Sequence, residues 1–349
     1  MPDTQTSVHT KRLPPAWQTQ LSDFIVSLEW SPDGAWLAAA TADGQVSLIP
    51  RQPNAPVKAF SAHTAGMGAL SWHPNGGPLA TAGQDGMVRA WNPSEAGPIW
   101  SYQSGRAWIE RLAWSPVSAG PENNNEPVLA FAQGKELHLL DARGEAVAKG
   151  EPLGSSIADL CWHPGDPIIV TAAYGGLCTW NGQTAEMLKA FEWKGAIWNC
   201  RWSPDGRWVC GGSQENAVHI WDAASGMHFH MPGYQSKIRS IDWSADGQWM
   251  ATSNGIDVLL WDCSGAGPSG RQPAMFGLHS EPVTVIRFQH HGHLFAAGGK
   301  DGKLALWNGD GNEEPLAVYM GKEEISAVRW SPDDKLLAAG TASGDVFIF

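Results

Sequence analysis

A short apolar stretch that ends in an aromatic residue recurs eight times, and this recurrence constrains the fold more than any other feature of the chain. In most copies a Ser-Pro-Asp-Gly-like turn follows the aromatic residue. The eight aromatic positions are Trp30, Trp72, Trp114, Trp162, Trp202, Trp243, Phe288 and Trp330, at spacings of 40 to 48 residues. Five positions before each of them stands an aliphatic residue or methionine: Ile25, Met67, Ile109, Ile157, Ile197, Ile238, Val283 and Ile325. The chain is therefore a tandem array.

Each unit of the array predicts four β-strands. The first strand ends at the aromatic residue, and the Pro-Asp-Gly turn reverses the chain. A second strand of small and apolar residues follows, such as "LAAAT". A third strand alternates with a period of two residues, as in "MVRAW", and a fourth, more variable strand follows, as in "VKAF". Four-stranded units of this length are typical of β-propeller blades, so we expect an all-β fold.

From about residue 16 to residue 349 the array resembles the WD-repeat family. The Trp-Asp ending of that family stands at Trp221-Asp222 and Trp261-Asp262, and it is relaxed to Trp-Asn at Trp91-Asn92, Trp180-Asn181 and Trp307-Asn308. The resemblance implies a hydrogen-bonded set of His, Ser or Thr, Asp and Trp within a blade. One blade matches it fully, at His63, Thr81, Asp85 and Trp91. The seventh unit keeps His279, Asp301 and Trp307 but has Ala297 in place of the hydroxyl residue.

The number of blades follows from the two ends of the array. Phe349 ends the third strand of unit eight, so that unit lacks its own fourth strand, whereas the segment Ala16–Leu21 precedes unit one without a blade of its own. Pairing of these two parts would close the ring and leave no open sheet edge. We therefore predict a single closed eight-bladed propeller over residues 16–349, its last blade completed by an N-terminal strand, after a flexible tail at 1–15. Seven blades, the commonest number in this family, is the alternative.

Charge and cysteine content narrow the classes of partner and compartment. The net charge is −12, from 35 acidic and 23 basic residues without a basic cluster, which disfavours nucleic acid. Five cysteines without a Cys-x-x-Cys pair fit a reducing compartment. The first 17 residues lack the apolar core of a signal peptide, and no apolar run reaches the roughly 18 residues that span a bilayer. We expect a cytoplasmic monomer without membrane contact or cofactor.

The tryptophans divide into a structural set, which follows the repeat, and candidate binding residues, which do not. Of the twenty tryptophans, fifteen recur in register with the repeat and are interpreted as packing between blades. Trp108 and Trp198 break the register, because they flank the aligned Ile109 and Ile197. The resemblance places such positions on the top face of a propeller. Candidate partner-binding residues there are Phe24, Trp108, Arg111, Tyr174, Trp198, Lys237 and Arg239, of types that anchor interfaces. An ordinary mixed loop surface is the alternative interpretation.

Two histidine groups are candidate metal ligands. The period-two spacing of His228 and His230 places both imidazoles on one face of a strand. His290, His291 and His293 crowd the turn of unit seven. A polar surface strand and a polar turn are the simpler interpretations. The sequence has neither a Gly-x-Ser-x-Gly nor a His-Glu-x-x-His motif.

The sequence therefore predicts a non-catalytic interaction scaffold that binds a protein or peptide through the top face or the central channel mouth. A metal-handling accessory protein that uses these histidines is one alternative. A propeller enzyme is the other.

Overall fold

The computed structural model describes residues 11–95, 97–116, 126–309 and 311–349. All regular elements of these residues are β-strands, 32 in number, and they form eight separate sheets. Each sheet is one blade, which confirms the prediction of eight rather than seven blades. Most of the insertion that lengthens unit three, residues 117–125, lies outside the described residues.

Blades one to four are built by the first half of the chain. The strands of blades one and two are β3 (Ile25–Trp30), β4 (Trp36–Thr41), β5 (Gln45–Pro50), β6 (Lys58–Ser61), and β7 (Met67–Trp72), β8 (Leu79–Gly83), β9 (Met87–Trp91), β10 (Pro98–Gln103). Those of blades three and four are β11 (Ile109–Trp114), β12 (Leu129–Gln133), β13 (Glu136–Leu140), β14 (Ala146–Lys149), and β15 (Asp159–Trp162), β16 (Ile168–Asn181), β17 (Met187–Ala196). In blade four, β16 continues through the turn between the second and third strands, where Gly175 and Gly176 have φ of 105° and 123°.

Blades five to eight follow the same antiparallel order. The strands of blades five and six are β18 (Arg201–Trp202), β19 (Trp208–Gly212), β20 (Val218–Asp222), β21 (His228–Met231), and β22 (Ile241–Trp243), β23 (Trp249–Asn254), β24 (Asp257–Asp262), β25 (Ala274–Gly277). Those of blades seven and eight are β26 (Val283–Phe288), β27 (Leu294–Gly299), β28 (Lys303–Asn308), β29 (Ala317–Met320), and β30 (Ile325–Trp330), β31 (Leu337–Thr341), β32 (Asp345–Ile348).

An N-terminal strand closes the ring. Strand β2 (Trp17–Gln20) pairs antiparallel with β32, in a register that runs from Trp17 opposite Ile348 to Gln20 opposite Asp345. Blade eight thereby gains its fourth strand from the opposite end of the chain, as predicted. Closure of this kind removes the unpaired edge that an open array would expose.

Ordered structure begins before residue 16. Residues 1–15 were expected to form a flexible tail, but β1 (Lys11–Arg12) pairs parallel with β29, and the Leu13 amide donates to the Val318 carbonyl at 2.9 Å. Residues 1–10 lie outside the described residues. Blade seven therefore has five strands instead of the predicted four, because the chain crosses its outer edge before it reaches blade eight.

The opening aromatic residues pack between neighbouring blades, and none of the eight is more than 9% exposed. Several of their indoles also donate a hydrogen bond to a backbone carbonyl of the neighbouring blade. Examples are Trp72 Nε1 to Glu29 O at 3.1 Å and Trp162 Nε1 to Ala113 O at 2.9 Å. These bonds satisfy the polar edge of a large buried ring. The aromatic residues thus fix the orientation of each blade against the next.

The aligned aliphatic residues fill the gap between blades at the other end of the innermost strands. Ile25 and Ile325 are fully buried and lie against glycines of the preceding blade. A β-carbon at Gly340 would stand 2.5 Å from Ile25 Cγ2, and one at Gly298 would stand 2.4 Å from Ile325 Cγ2. This close packing holds the chain rigidly where it enters each innermost strand. The residues beside these positions form the candidate site.

Candidate partner-binding site

The top face is the end of the propeller where the chain enters the innermost strand of each blade. Phe24, Trp198 and Lys237 each stand next to a buried aliphatic residue in such an entry segment, namely Ile25, Ile197 or Ile238. Because successive residues of an extended chain point in opposite directions, burial of one residue turns its neighbours outward. The repeat therefore presents one or two side chains per blade around the channel mouth.

Five of the seven predicted binding residues line one cavity of about 300 Å³ at this end of the molecule. They come from blades one, three, five and six, which the ring brings together around its axis. The cavity is lined by Phe24, Arg111, Trp198, Asn199, Lys237, Ile238, Arg239, Thr284, Glu324 and Ser326. We call it the mouth cavity.

Trp198 is the aromatic platform of the mouth cavity. Its side chain is 38% exposed, while its backbone amide donates to the Gly212 carbonyl at 2.8 Å. The Lys237 ammonium from blade six lies 4.4 Å from the centre of the indole. A cation over an indole face is attracted by the ring quadrupole, so this contact holds both side chains across the blade boundary.

Two polar side chains of the mouth cavity link neighbouring blades through hydrogen bonds. Sequence analysis did not select these residues. The Asn199 amide donates to Ile238 O at 3.0 Å, and the Ser326 hydroxyl donates to Ile25 O at 2.7 Å. In each case the acceptor is the carbonyl of the buried aliphatic residue in the next blade. These residues belong to the frame of the site.

The mouth cavity carries a local positive charge on an acidic protein. Arg111, Lys237 and Arg239 face a single carboxylate, Glu324. Arg111 is partly engaged, since its Nε lies 3.0 Å from Asp159 Oδ1, yet its side chain stays 44% exposed. The lining is thus opposite in sign to the net charge of −12 for the whole chain.

Two predicted binding residues lie apart from the mouth cavity. Trp108, 57% exposed, lines an adjoining depression of about 290 Å³ that shares Arg111 with the mouth cavity. Tyr174, 64% exposed, stands before the Gly175-Gly176 turn of blade four, where its backbone exchanges hydrogen bonds with the Ser155 hydroxyl. Sequence position alone does not separate these residues from the other five.

A charged central channel lies beneath the mouth cavity, and sequence analysis missed it. The channel is a cavity of about 620 Å³ lined by the innermost strands. A signal for it exists in the repeat, because six of the eight residues that directly precede an opening aromatic line the cavity: Glu29, Ser71, Ala113, Cys161, Arg201 and Arg329. Arg111 and Asp159 line it as well.

The channel lining carries a small excess of positive charge near neutral pH. The Asp159 carboxylate pairs with Arg111 at 3.0 Å and with Arg201 at 3.3 Å. Burial, together with the charge of the nearby Arg329, lowers the pKa of Arg287 to about 9. Burial raises the pKa of Glu29 to about 7, although Arg329 opposes this shift. The lining holds three arginines (Arg111, Arg201 and Arg329) and three carboxyl groups (Glu29, Glu110 and Asp159), of which Glu29 carries less than a full negative charge near neutral pH.

The hydrogen-bond network implied by the family resemblance is present in blade two. His63 Nδ1–H donates to Asp85 Oδ1, the Thr81 hydroxyl donates to His63 Nε2, and Trp91 Nε1–H donates to Thr81 Oγ1, each at 2.9 Å. Burial lowers the pKa of His63, which favours the neutral imidazole that this network requires. The network ties the second and third strands to the segment that leads into the blade.

Blade six forms a related network with a different residue. Tyr234 occupies the histidine position, and its hydroxyl lies 2.8 Å from Thr252 Oγ1 and accepts from Trp261 Nε1 at 2.9 Å. Blade four keeps only the bond from Trp180 Nε1 to Thr171 Oγ1, at 2.8 Å. A search for histidine alone missed both, because any buried hydroxyl in reach of the indole can accept its proton.

Blade seven has the same network with one member missing. His279 Nδ1 lies 3.0 Å from Asp301 Oδ1, and hydrogen bonds to this carboxyl outweigh its burial and lower its pKa to about 2. Among the described residues, His279 Nε2 and Trp307 Nε1 are buried without a hydrogen-bond partner. These are the two atoms that a hydroxyl in place of Ala297 would satisfy.

We expect Ala297→Thr to raise the free energy of unfolding by about 1–2 kcal/mol, because the introduced hydroxyl can donate to His279 Nε2 and accept from Trp307 Nε1. Urea denaturation measures the change. Ala297→Val is the matched control, since it has the same shape without the hydroxyl. Equal stability of the two variants would contradict the prediction.

The two histidine groups differ in the structure. His290 Nδ1 and His291 Nδ1 bond separate oxygens of Asp334 at 2.8 and 3.0 Å, whereas His293 Nε2 bonds Asp246 at 2.9 Å. His228 and His230 instead lie beside further ligand-type side chains of blade five. Within the described residues, one group has three ligand atoms within 4.8 Å of one another, and it consists of Glu215, His219 and His230.

Comparison with known proteins agrees with the geometry. The family model "WD domain, G-beta repeat" matches six segments that cover more than half of the chain: 17–49, 54–92, 186–222, 227–262, 270–308 and 313–349. The unmatched interval 93–185 contains the inner strands of blades three and four, which the structure forms as complete units. None of the described residues lies in a helix long and apolar enough to cross a membrane.

Individual relatives match parts of the chain in sequence, and a solved structure matches nearly all of it in fold. "Cell division cycle 20.1, cofactor of APC complex" of Arabidopsis thaliana is 29% identical over 47% of this chain and 37% of its own length. "WD repeat-containing protein 1" of Mus musculus is 27% identical over 64% of this chain and 35% of its own length. The chain thus spans about a third of the length of these relatives. The crystal structure of the computationally designed Ika8 protein matches in fold, with a TM-score of 0.79 and 18% identity over 95% of this chain and 97% of that one. The chain belongs to the WD-repeat family.

Proposed function

We propose that this protein is a non-catalytic interaction scaffold whose mouth cavity binds an acidic segment of a partner protein. One observation carries the proposal: an exposed indole, a half-buried phenyl ring and three cationic side chains from four different blades line a single cavity. Family membership adds support, since one relative, "SIR4-interacting protein SIF2" of Saccharomyces cerevisiae, is named for its partner.

The chemistry of the mouth cavity selects the class of partner. Trp198 and Phe24 offer apolar surface, and aromatic anchors contribute strongly to binding when a partner covers them. Arg111, Lys237 and Arg239 attract carboxylates, whereas the rest of this acidic protein repels them. A partner segment that combines an apolar side chain with aspartate or glutamate residues fits this lining.

The central channel extends the same preference. Its three arginines lie below the mouth cavity, and one of the three carboxyl groups beside them, that of Glu29, carries less than a full negative charge near neutral pH. An acidic side chain that reaches into the channel would gain a charge-assisted hydrogen bond in a region of reduced dielectric constant. We also propose that the protein is a monomer in a reducing compartment. Its five free cysteines support that compartment.

The experiment compares partners retained by the wild-type protein and by Trp198→Ala/Arg239→Ala, with quantitative mass spectrometry of native lysate followed by titration of the enriched partner. We expect the double variant to bind at least about 30-fold more weakly, because the loss of even one anchor of this type costs about 2 kcal/mol or more. We also expect affinity to fall as salt rises, since the contact is partly ionic.

A matched double variant on the opposite face, His291→Ala/Lys335→Ala, is the control. His291 and Lys335 are exposed, with side-chain exposures of 81% and 78%. The control should retain every partner of the wild type. An unchanged partner set for Trp198→Ala/Arg239→Ala would overturn the assignment of the mouth cavity.

A further inference from the structure

Blade five replaces the hydrogen-bond network of blade two with a different set of side chains. The position of His63 holds Trp193, that of Thr81 holds Gly211, and that of Asp85 holds Glu215. Arg89, which donates to Asp85 in blade two, corresponds to His219. The outer half of blade five has thus lost the hydroxyl of the network and has gained an imidazole beside a carboxylate.

Strand register adds two more imidazoles to the same place. His219 on β20 lies directly opposite His230 on β21, and Trp221 lies opposite His228. Residues two apart share a face of the sheet, so the three imidazoles stand on one side of blade five. The ring centroid of His219 is 4.8 Å from that of His230 and 5.2 Å from that of His228.

Trp193 covers this group. Its ring centroid is 4.1 Å from that of His219, 5.2 Å from that of His230 and 5.7 Å from that of His228. The side chain of His219 is completely buried beneath the indole, whereas Glu215 is 35% exposed and His230 lies at the surface. The group is therefore shielded on one side and reachable by a small ion on the other.

We propose that blade five binds a zinc ion through Glu215, His219 and His230. One potential ligand atom of each residue lies within 4.8 Å of those of the other two. Two imidazoles and a carboxylate are ligands that suit zinc, with a water molecule or a fourth side chain to complete a tetrahedron.

The closest pair of atoms already has the spacing of a zinc site. His219 Nε2 lies 3.3 Å from Glu215 Oε1. Ligand bonds of about 2.0 Å at tetrahedral angles place two ligand atoms about 3.3 Å apart. His230 has to approach more closely, which its position on the exposed outer strand allows.

His228 has the position of a residue that orients a ligand. Its Nε2 lies 2.9 Å from His219 Nδ1, the ring nitrogen that faces away from Glu215. In the zinc-free protein His219 Nε2 lies within hydrogen-bond distance of Glu215 Oε1, and zinc would take the place of the proton between these two atoms. His219 Nδ1–H would then donate to His228 Nε2, and such a second partner fixes the tautomer of a metal-bound histidine.

Isothermal titration of the 349-residue chain with zinc chloride tests this proposal, after removal of any affinity tag and treatment with a chelator. We expect one zinc ion per chain at micromolar zinc, and an increase in the melting temperature on zinc addition. His230→Ala and Glu215→Gln should each weaken zinc binding at least about 100-fold, and His228→Ala about 10- to 100-fold. Both ligand variants alter exposed or partly exposed side chains, so the fold should survive.

The second histidine group supplies the matched control. His290→Ala/His291→Ala/His293→Ala removes three surface imidazoles that bond separate carboxylate oxygens, and it should leave the zinc titration unchanged. Cobalt added to the wild-type protein should give the visible absorption of a tetrahedral ion, and His230→Ala should abolish it. Absence of zinc binding by the wild type, or equal zinc affinity of wild type and His230→Ala, would overturn the proposal. The site lies on the outer strands, so its test is independent of the mouth cavity.

Discussion

Deletion of residues 1–21 is expected to abolish the cooperative fold. The deletion removes β2, and with it the outer partner of β32 and the contacts of Trp17 and Leu21 with the core beneath blade eight. Strand β32 then becomes an open edge, and the free energy lost is comparable to the whole stability of a domain, about 5–15 kcal/mol. Near-UV circular dichroism and size-exclusion chromatography should reveal lost tertiary packing and aggregation.

Deletion of residues 1–12 provides the control for this prediction. It removes β1, which pairs only with the outer edge of blade seven, and it leaves β2 in place. We expect this shorter deletion to melt cooperatively within a few degrees of the intact protein. Cooperative melting of the longer deletion at that temperature would show that ring closure by β2 is dispensable.

Thr81→Val is expected to lower the free energy of unfolding by about 2–6 kcal/mol. The hydroxyl of Thr81 is the donor to His63 Nε2 and the acceptor for Trp91 Nε1, and all three groups are buried. The substitution keeps the shape of the side chain but leaves two buried polar atoms without a partner, and each such atom costs about 1–3 kcal/mol. Urea denaturation, monitored by tryptophan fluorescence, measures the loss.

Thr81→Ser separates the hydroxyl from the packing of the methyl group. It retains both hydrogen bonds and should cost about 1 kcal/mol, the value of one buried methyl group. Equal destabilisation by Val and Ser would indicate that packing, not the network, accounts for the role of Thr81. The Thr81 variants test the network by removing its hydroxyl in blade two. Ala297→Thr tests it by adding the missing hydroxyl in blade seven.

Hydrogen bonds within each turn explain why the blades could be predicted from the sequence. The turn after β3 has the Ser31 hydroxyl donating to Asp33 Oδ1 at 2.5 Å and accepting from the Trp36 amide at 3.0 Å, with Gly34 at a φ of 66°. The same bonds recur at Ser203 and Ser244. Because each turn is satisfied within five residues, its sequence specifies its shape wherever it occurs.

The candidate site could be predicted only in part, because its residues come from different blades. Trp198 stood out because it breaks the repeat, and the buried Ile197 beside it indicated an outward direction. Nothing local links Trp198 to Phe24 or Glu324, which approach it only when eight blades close into a ring. Sequence analysis therefore selected plausible residues but could not divide them between the mouth cavity and the positions of Trp108 and Tyr174.

The sequence determined the repeat and the four strands of a blade, because these depend on hydrogen bonds and apolar periodicity within about 45 residues. The count of repeats, with one strand missing from the last unit and one unassigned segment before the first, indicated the number of blades and the closing segment. Tertiary structure alone decided which charges share the central channel and which histidines converge. His219 drew no attention in the sequence, since its partners His228 and Glu215 meet it only through strand register and a turn. The residues of the mouth cavity and of the channel are far apart in sequence, and the packing of the blades fixes their distances. Glu215, His219 and His230 are close in sequence, and the register of β20 against β21 decides which of their side chains meet.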